Sequence, residues 1–145
     1  MVASLAALAS AACGQDALSK EEFIEQADEI CADIDQQIRE LGEPQNQEDF
    51  EELVEEGTEI TDDGLEELRD LEPPAEDRDQ INPMLDKIEE AVELLPEIQE
   101  ALENRDVEAL QRLQTQVQAA ANEAQTIADD YGFEQCARAD VAPGG

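Results

Sequence analysis

Three cysteines, Cys13, Cys31 and Cys136, are the residues in this chain best suited to covalent chemistry. A thiol can take a lipid, close a disulfide, bind a metal or attack a substrate, and the surrounding residues separate these options. The cysteines lie far apart, none falls in a C-x-x-C pair and the chain contains no histidine, so the usual cysteine and histidine zinc sites cannot be assembled. Serine occurs only at Ser4, Ser10 and Ser19, and no nucleophile has the base and orienting partner that acyl transfer requires. Helical di-iron sites are excluded in their usual form because they draw on Glu-x-x-His pairs. No catalytic residue, cofactor or metal site is assigned. Thr61-Asp62-Asp63-Gly64 has the composition of a calcium loop but lacks the alternating ligands and distant glutamate of an EF-hand, and it reads as a solvated turn of helix. The pairs Glu51-Glu52, Glu55-Glu56, Glu66-Glu67 and Glu89-Glu90 could attract divalent or organic cations, although on the outer face of amphipathic helices their ordinary role is solvation.

Cys13 closes the small and apolar run MVASLAALASAAC. That run resembles the end of a bacterial lipoprotein signal, in which small residues precede a cysteine whose thiol receives a diacylglycerol and whose amino group becomes the mature N-terminus. Ser10-Ala11-Ala12-Cys13 departs from the common pattern by placing Ser10 where leucine is usual. No Lys or Arg precedes Lys20, so the charged opening of the signal is expected upstream of Met1. The run is shorter than the roughly 20 apolar residues that span a bilayer. Residues 1–12 are therefore read as the end of a signal and residues 13–18 as a lipidated linker. The alternative is secretion with cleavage after Ala9-Ser10-Ala11, which leaves Cys13 an unmodified thiol. If an exported chain pairs Cys31 with Cys136, acylation gives the odd cysteine a use. Such a bridge would close a loop of about 105 residues, for which chain entropy suggests about 4–5 kcal/mol; two unpaired buried thiols are the alternative.

With 40 acidic against 8 basic residues and a net charge of −32, the chain is excluded from nucleic-acid binding and repelled by anionic lipid headgroups. Attachment to a membrane must then come from acyl chains on Cys13, two or three of which hold firmly where a single chain does not. Such acidity accompanies disorder when apolar content is low. Here 41% of residues are hydrophobic and recur at helical spacing, so a folded core is expected under a charged shell.

Four capped helices position these residues. The first opens on a capping box, Ser19 with Glu22, and a hydrophobic staple, Leu18 with Phe23; its stripe runs Phe23, Ala27, Ile30, Ile34, Ile38 and Leu41 to Gly42 and Pro44. The second opens near Asn46, carries Phe50, Leu53, Val54, Ile60, Leu65, Leu68 and Leu71, and stops at Pro73-Pro74. Gly57 and Gly64 on its stripe would let another backbone approach closely. The third is expected from the Pro73-Pro74 region through Leu102, with Pro83 restarting it after an Asn82 cap and Pro96 bending it. The fourth follows the Asn104-Arg105-Asp106 turn, carries Leu110, Leu113, Val117, Ala120, Ala124, Ile127 and Tyr131, and ends at a left-handed Gly132 with Phe133 folding back.

Short links make the fold an all-α, antiparallel up-down-up-down four-helix bundle over residues 19–136, with 137–145 a disordered tail. In that arrangement the tail after Gly132 returns along the first helix. Cys31 lies about 12 residues into that helix, roughly 18 Å at 1.5 Å per residue, within reach of Cys136.

The segments LSKEEFIEQADEIC, LRDLEPPAED and AQTIADDYGFEQC resemble small secreted proteins and lipoproteins of actinobacteria that open on L-[ST]-K-x-E-F-I-x-x-A-[DN]-x-I-C and close on Y-G-[FL]-x-x-C. The match covers most of residues 18–136. The resemblance implies a helical exported domain with Cys31 paired to Cys136, and it implies no catalytic residues.

These readings converge on a noncatalytic lipoprotein on the outer face of the cell membrane that contacts an envelope protein or the cell wall. The alternative is an extracytoplasmic module for a small ligand or cation, with a cavity beside Pro83 and Pro96 or on the Gly57 and Gly64 face. The scarcity of lysine, confined to Lys20 and Lys87, beside six arginines fits a GC-rich, salt-loving host. Like-charge repulsion opposes compaction at low ionic strength, and the Debye length falls from about 10 Å at 0.1 M salt to about 3 Å at 1 M. The thermal midpoint is accordingly expected to climb with NaCl; a midpoint that stays flat from low to molar salt would exclude this account.

Overall fold

A computed structural model describes residues 18–138, and the regular structure of these residues is entirely helical. Helix α1 spans Lys20–Leu41. The Ser19 hydroxyl accepts from the Glu22 backbone N–H at 3.3 Å, and the Glu22 carboxylate accepts from the Ser19 N–H at 3.0 Å, completing the capping box. The hydroxyl also donates to that carboxylate, and together these bonds hold the Glu22 carboxyl below its ordinary range. Leu18 packs on the cluster containing Phe23, as a staple requires. Gly42 ends the helix at φ 80°, a conformation that costs glycine little.

Helix α2 spans Gln47–Asp70, with the Asn46 side chain accepting from the Asp49 N–H at 3.0 Å. Its two glycines receive side chains of α1. A Cβ on Gly57 would meet Ile38 Cδ1 at 3.4 Å, whereas one on Gly64 would sit inside the space of the Ile34 side chain. The expected close approach is thus a seating of isoleucines on bare backbone.

The third helix departs from expectation in three ways. It begins at Arg78 as α3 (Arg78–Glu93) and not in the Pro73-Pro74 region; both prolines are buried in the connection, and Glu72 before them takes φ 48°. Pro83 does not restart it, because the lost hydrogen bond concerns the Asp79 carbonyl in the exposed first turns, where water can serve. Pro96 breaks the helix where a bend was expected. With no N–H to reach the Val92 carbonyl, the chain turns at Leu94, and α4 (Leu95–Glu103) restarts with Pro96 in its first turn. The four expected helices are therefore four arms, the third in two segments.

Helix α5 spans Val107–Tyr131. Asp106 caps it by accepting from the Ala109 N–H at 2.9 Å, and Arg105 takes φ 55° in the tight turn before it. At the other end Gly132 is left-handed at φ 110°, and the Phe133 N–H returns to the Ala128 carbonyl at 3.0 Å, a Schellman closure. Phe133 is buried as this closure demands.

The main core gathers Phe23 and Ala27 of α1, Leu65 and Leu68 of α2, Ile81, Met84 and Leu85 of α3, and Ala124, Ala128 and Tyr131 of α5. A second cluster of Ala91, Val117 and Ala120 joins α3 to α5. Among the described residues no polar or charged side chain is buried, and no buried side-chain nitrogen or oxygen lacks a partner. Helix α5 packs along α3 and α4, and α2 along α1, α3 and α4. Among the described residues no α1–α5 pair of Cα atoms comes within 8 Å, so α2 is the only helix along which α1 lies.

The two glycine seats predict opposite effects. Gly57→Ala should stabilise by about 0.5–1 kcal/mol through helix propensity, since its Cβ meets only an ordinary contact. Gly64→Ala displaces Ile34, and an overpacking cost of about 1–3 kcal/mol outweighs the same gain. Urea unfolding at fixed salt should rank Gly57→Ala above the parent and Gly64→Ala below it; the reverse order would refute the seating.

Candidate functional site: the clasped first helix and the groove beside it

The structure brings Cys31 and Cys136 together as a disulfide with Cα atoms 5.1 Å apart across a sequence separation of 105. Cys13 lies outside the described residues, as do the expected signal end at 1–12 and most of the linker. Of the expected tail, Ala137 and Arg138 continue a turn, with the Arg138 N–H on the Gln135 carbonyl at 2.9 Å, and 139–145 lie outside the description.

The disulfide is one part of a clasp. Asp28, three residues before Cys31, turns its carboxylate onto the chain after α5. It accepts from the N–H of Glu134 at 2.8 Å, of Gln135 at 2.9 Å and of Cys136 at 3.0 Å. These donors follow the end of a helix, and a carboxylate that receives several of them makes charge-assisted bonds of the stronger kind. Phe23 adds an aromatic contact to the same end, with its ring 6.2 Å from that of Tyr131 and 6.0 Å from that of Phe133.

Tyr131 anchors the far side of this end. Its hydroxyl donates to Asp77 at 2.7 Å; Asp77 stands at the N-cap position of α3 in a helical conformation and makes no capping bond with its own side chain. The Lys20 ammonium stands 4.0 Å from the centre of the Tyr131 ring. Burial pushes the phenol pKa well up, and the hydrogen bond and charge of Asp77, with Glu76 and Glu21 nearby, act in the same direction. Sequence reasoning missed Asp28, Asp77 and Lys20 in these roles.

Beside the clasp an open groove of about 470 Å³ runs between α1 and α2. Ile30, Ile34 and Leu41 of α1 and Ile60 and Gly64 of α2 give it an apolar floor. Its α2 wall carries Glu56, Glu59, Asp63 and Glu67, while α1 adds Asp33 and Gln37, hydrogen bonded to each other at 2.9 Å. The groove forms because the end of α1 beyond the clasp has no helix on its open side, so its isoleucines stay half-buried. It lies on the Gly64 face and not beside Pro83 and Pro96. The suspected calcium loop is one turn of α2, in which Thr61 donates to the Gly57 carbonyl at 2.8 Å and Asp63 faces the groove.

The paired glutamates divide in a similar way. Glu89 meets Arg69 at 2.5 Å and Glu90 meets Lys87 at 2.7 Å, whereas Glu56 and Glu67 line the groove. Lys87 also reaches Glu123 at 3.2 Å, and its hydrogen bonds to Glu90 and Glu123 raise its pKa. Among the described residues no group of three or more Cys, Asp or Glu side chains is placed to hold a metal ion, and no helix is long and apolar enough to cross a membrane. No protein-family model matches the chain, and neither the curated proteins nor the solved structures contain a significant match.

The Tyr131 environment predicts alkaline sensitivity. Because the phenol pKa is raised above its unfolded value near 10, the contribution of the neutral phenol is complete below about pH 10 and is lost as pH rises from there toward the folded-state value. Tyr131→Phe should cost about 0.5–1.5 kcal/mol at pH 8 through the lost hydrogen bond, and should flatten the decline between pH 8 and 11. Urea titrations at the two pH values measure both effects; an equal alkaline decline in the variant would show that Tyr131 is not its source.

Proposed function

We infer that this chain is a noncatalytic lipoprotein of the cell envelope, held at the outer face of the membrane by acyl chains on Cys13 and presenting a helical module to an envelope protein or to the cell wall. The observation that carries this reading is the Cys31–Cys136 disulfide. Disulfides of this kind persist in oxidising compartments outside the cytoplasm, and this one uses two of three cysteines, leaving Cys13 for the lipid. The charge of −32 agrees, because attachment through a basic patch is ruled out and acyl chains are needed.

The module is an antiparallel up-down-up-down bundle. Support comes from the seating of Ile34 over Gly64 and Ile38 against Gly57, which advances along α1 as it retreats along α2. Further support comes from the packing of both segments of the third arm on α5. A core without buried polar side chains favours a partner that docks on the surface over a small ligand enclosed within, since enclosed sites need convergent polar groups. The opening and closing motifs, similar to those of small exported actinobacterial proteins, agree with the same address.

Intact mass of the protein isolated from its host membrane, with and without reductant, tests anchor and bridge together. A mass beginning at diacylated or triacylated Cys13, rising by two hydrogens on reduction, is the expected result. A soluble chain beginning at Ala12 with an unmodified Cys13 would replace the anchored protein with a diffusible secreted one.

A further inference from the structure

We propose that the groove between α1 and α2 is the docking site for a basic amphipathic helix of a partner protein. The inference rests on the reading of the bundle as a partner-binding module and names the chemistry and place of that binding.

Shape comes first. The floor residues recur at helical spacing on both sides, Ile30, Ile34 and Leu41 facing Ile60 and Gly64. From Ile30 to Leu41 the α1 side extends about 16 Å at 1.5 Å per residue, the length of three helical turns. A trough between two helices, apolar on its floor, accepts the apolar stripe of a third, anchored at i, i+3 or i+4 and i+7.

Charge then selects the occupant. Glu56, Glu59, Asp63 and Glu67 stand on one wall at spacings of three, four and four residues, a row along a single helix face. Among the described residues their carboxylates make no hydrogen bond or ion pair, and no Lys or Arg lines the groove. The nearby cations are engaged elsewhere: Arg39 with Asp35 on α1, Arg69 with Asp86 and Glu89, Lys87 with Glu90 and Glu123. No cation of this chain is paired with the wall among the described residues, so any protein counter-charge for it would come from another molecule. A second copy of this chain brings −32 of its own and is repelled, and the N-terminal residues 1–17 contain no Lys or Arg. A helix with leucine-like anchors on one face and Lys or Arg along the adjoining edge satisfies floor and wall together.

The test uses the full disulfide-bonded chain in solution, at about 0.15 M salt, where surface attraction alone is screened beyond about 8 Å. The probe is a fluorescein-labelled helical peptide of about 18 residues made of leucine and lysine segregated on opposite faces; its control has the same composition with the segregation shuffled. Binding should be one to one and at least about tenfold tighter for the segregated peptide. It should weaken about tenfold in Glu59→Gln, Asp63→Asn, Glu67→Gln and less than about twofold in Glu97→Gln, Glu100→Gln, Glu103→Gln, which makes the same change of charge on α4. Methyl resonances of Ile34 and Ile60 should shift on binding.

Equal losses in the two triple variants, or equal binding of the shuffled peptide, would reduce the effect to general electrostatics and overturn the proposal. Binding that appears only after removal of residues 1–17 would assign the groove to the chain's own segment. A dimer tightened by the groove substitutions would assign it to a second copy, and either result overturns the proposal. The anchor takes no part in this experiment, so failure here leaves an acylated Cys13 standing, and an unmodified Cys13 leaves the groove result standing.

Discussion

Beyond its packing along α2, the attachment of α1 to the rest of the bundle depends on one contact, the return of the chain after α5 onto residues Ala27 to Cys31. Helix α1 lies along α2 alone, so what ties it to the chain after α5 is the Asp28 carboxylate on three backbone N–H groups, the Cys31–Cys136 bond and the Phe23 ring against those of Tyr131 and Phe133. The covalent part acts mainly on the unfolded chain, where closing a loop of this length removes about 4–5 kcal/mol of entropy. The Asp28 bonds act on the folded state, fixing the direction in which the chain leaves Gly132. Each supports the other: the turn places Cys136 over α1, and the bridge keeps the turn closed.

Placing the clasp at one end explains the groove at the other. Aromatic residues gather where α1 meets the C-terminal turn, and the apolar groups of α1 become more exposed toward Leu41. Gly64 lets Ile34 sink toward α2, which deepens the trough without closing it. A fold that secured α1 along its whole length would have no such surface. In this one, stability is concentrated where the covalent bond is, and the far half of α1 remains available to another molecule.

Electrostatics set the second constraint. Eight cations cannot neutralise forty carboxylates, and two of them hold arms together: Arg69 joins α2 to α3 and Lys87 joins α3 to α5. Exposed pairs contribute about 0–1 kcal/mol each, so their value lies in relieving local repulsion at helix seams. The groove wall receives no such relief. Its charge is balanced by salt in the free protein, and a basic partner would release that counter-ion atmosphere on docking.

Most helix ends were legible in the sequence, because they are written within a single turn; the start of α3 was not. Ser19 with Glu22, Asn46, Gly42 and Gly132 each act on neighbours three to five residues away, and each stands at a helix end as expected. Pro96 was legible as an interruption, but whether a helix bends or breaks depends on how its two halves pack, here on α5 from either side of Leu94. Asp28 and Asp77 gave no local sign of their roles. Their partners are 108 and 54 residues distant, and an acidic residue on a helix looks the same whether it faces water or a returning chain. Composition and periodicity, by themselves, determined an acidic, aliphatic, all-helical domain with an odd cysteine. Only the tertiary structure decided which carboxylates clasp, which are paired across helices and which line a groove, because those roles follow from packing between elements far apart in the chain.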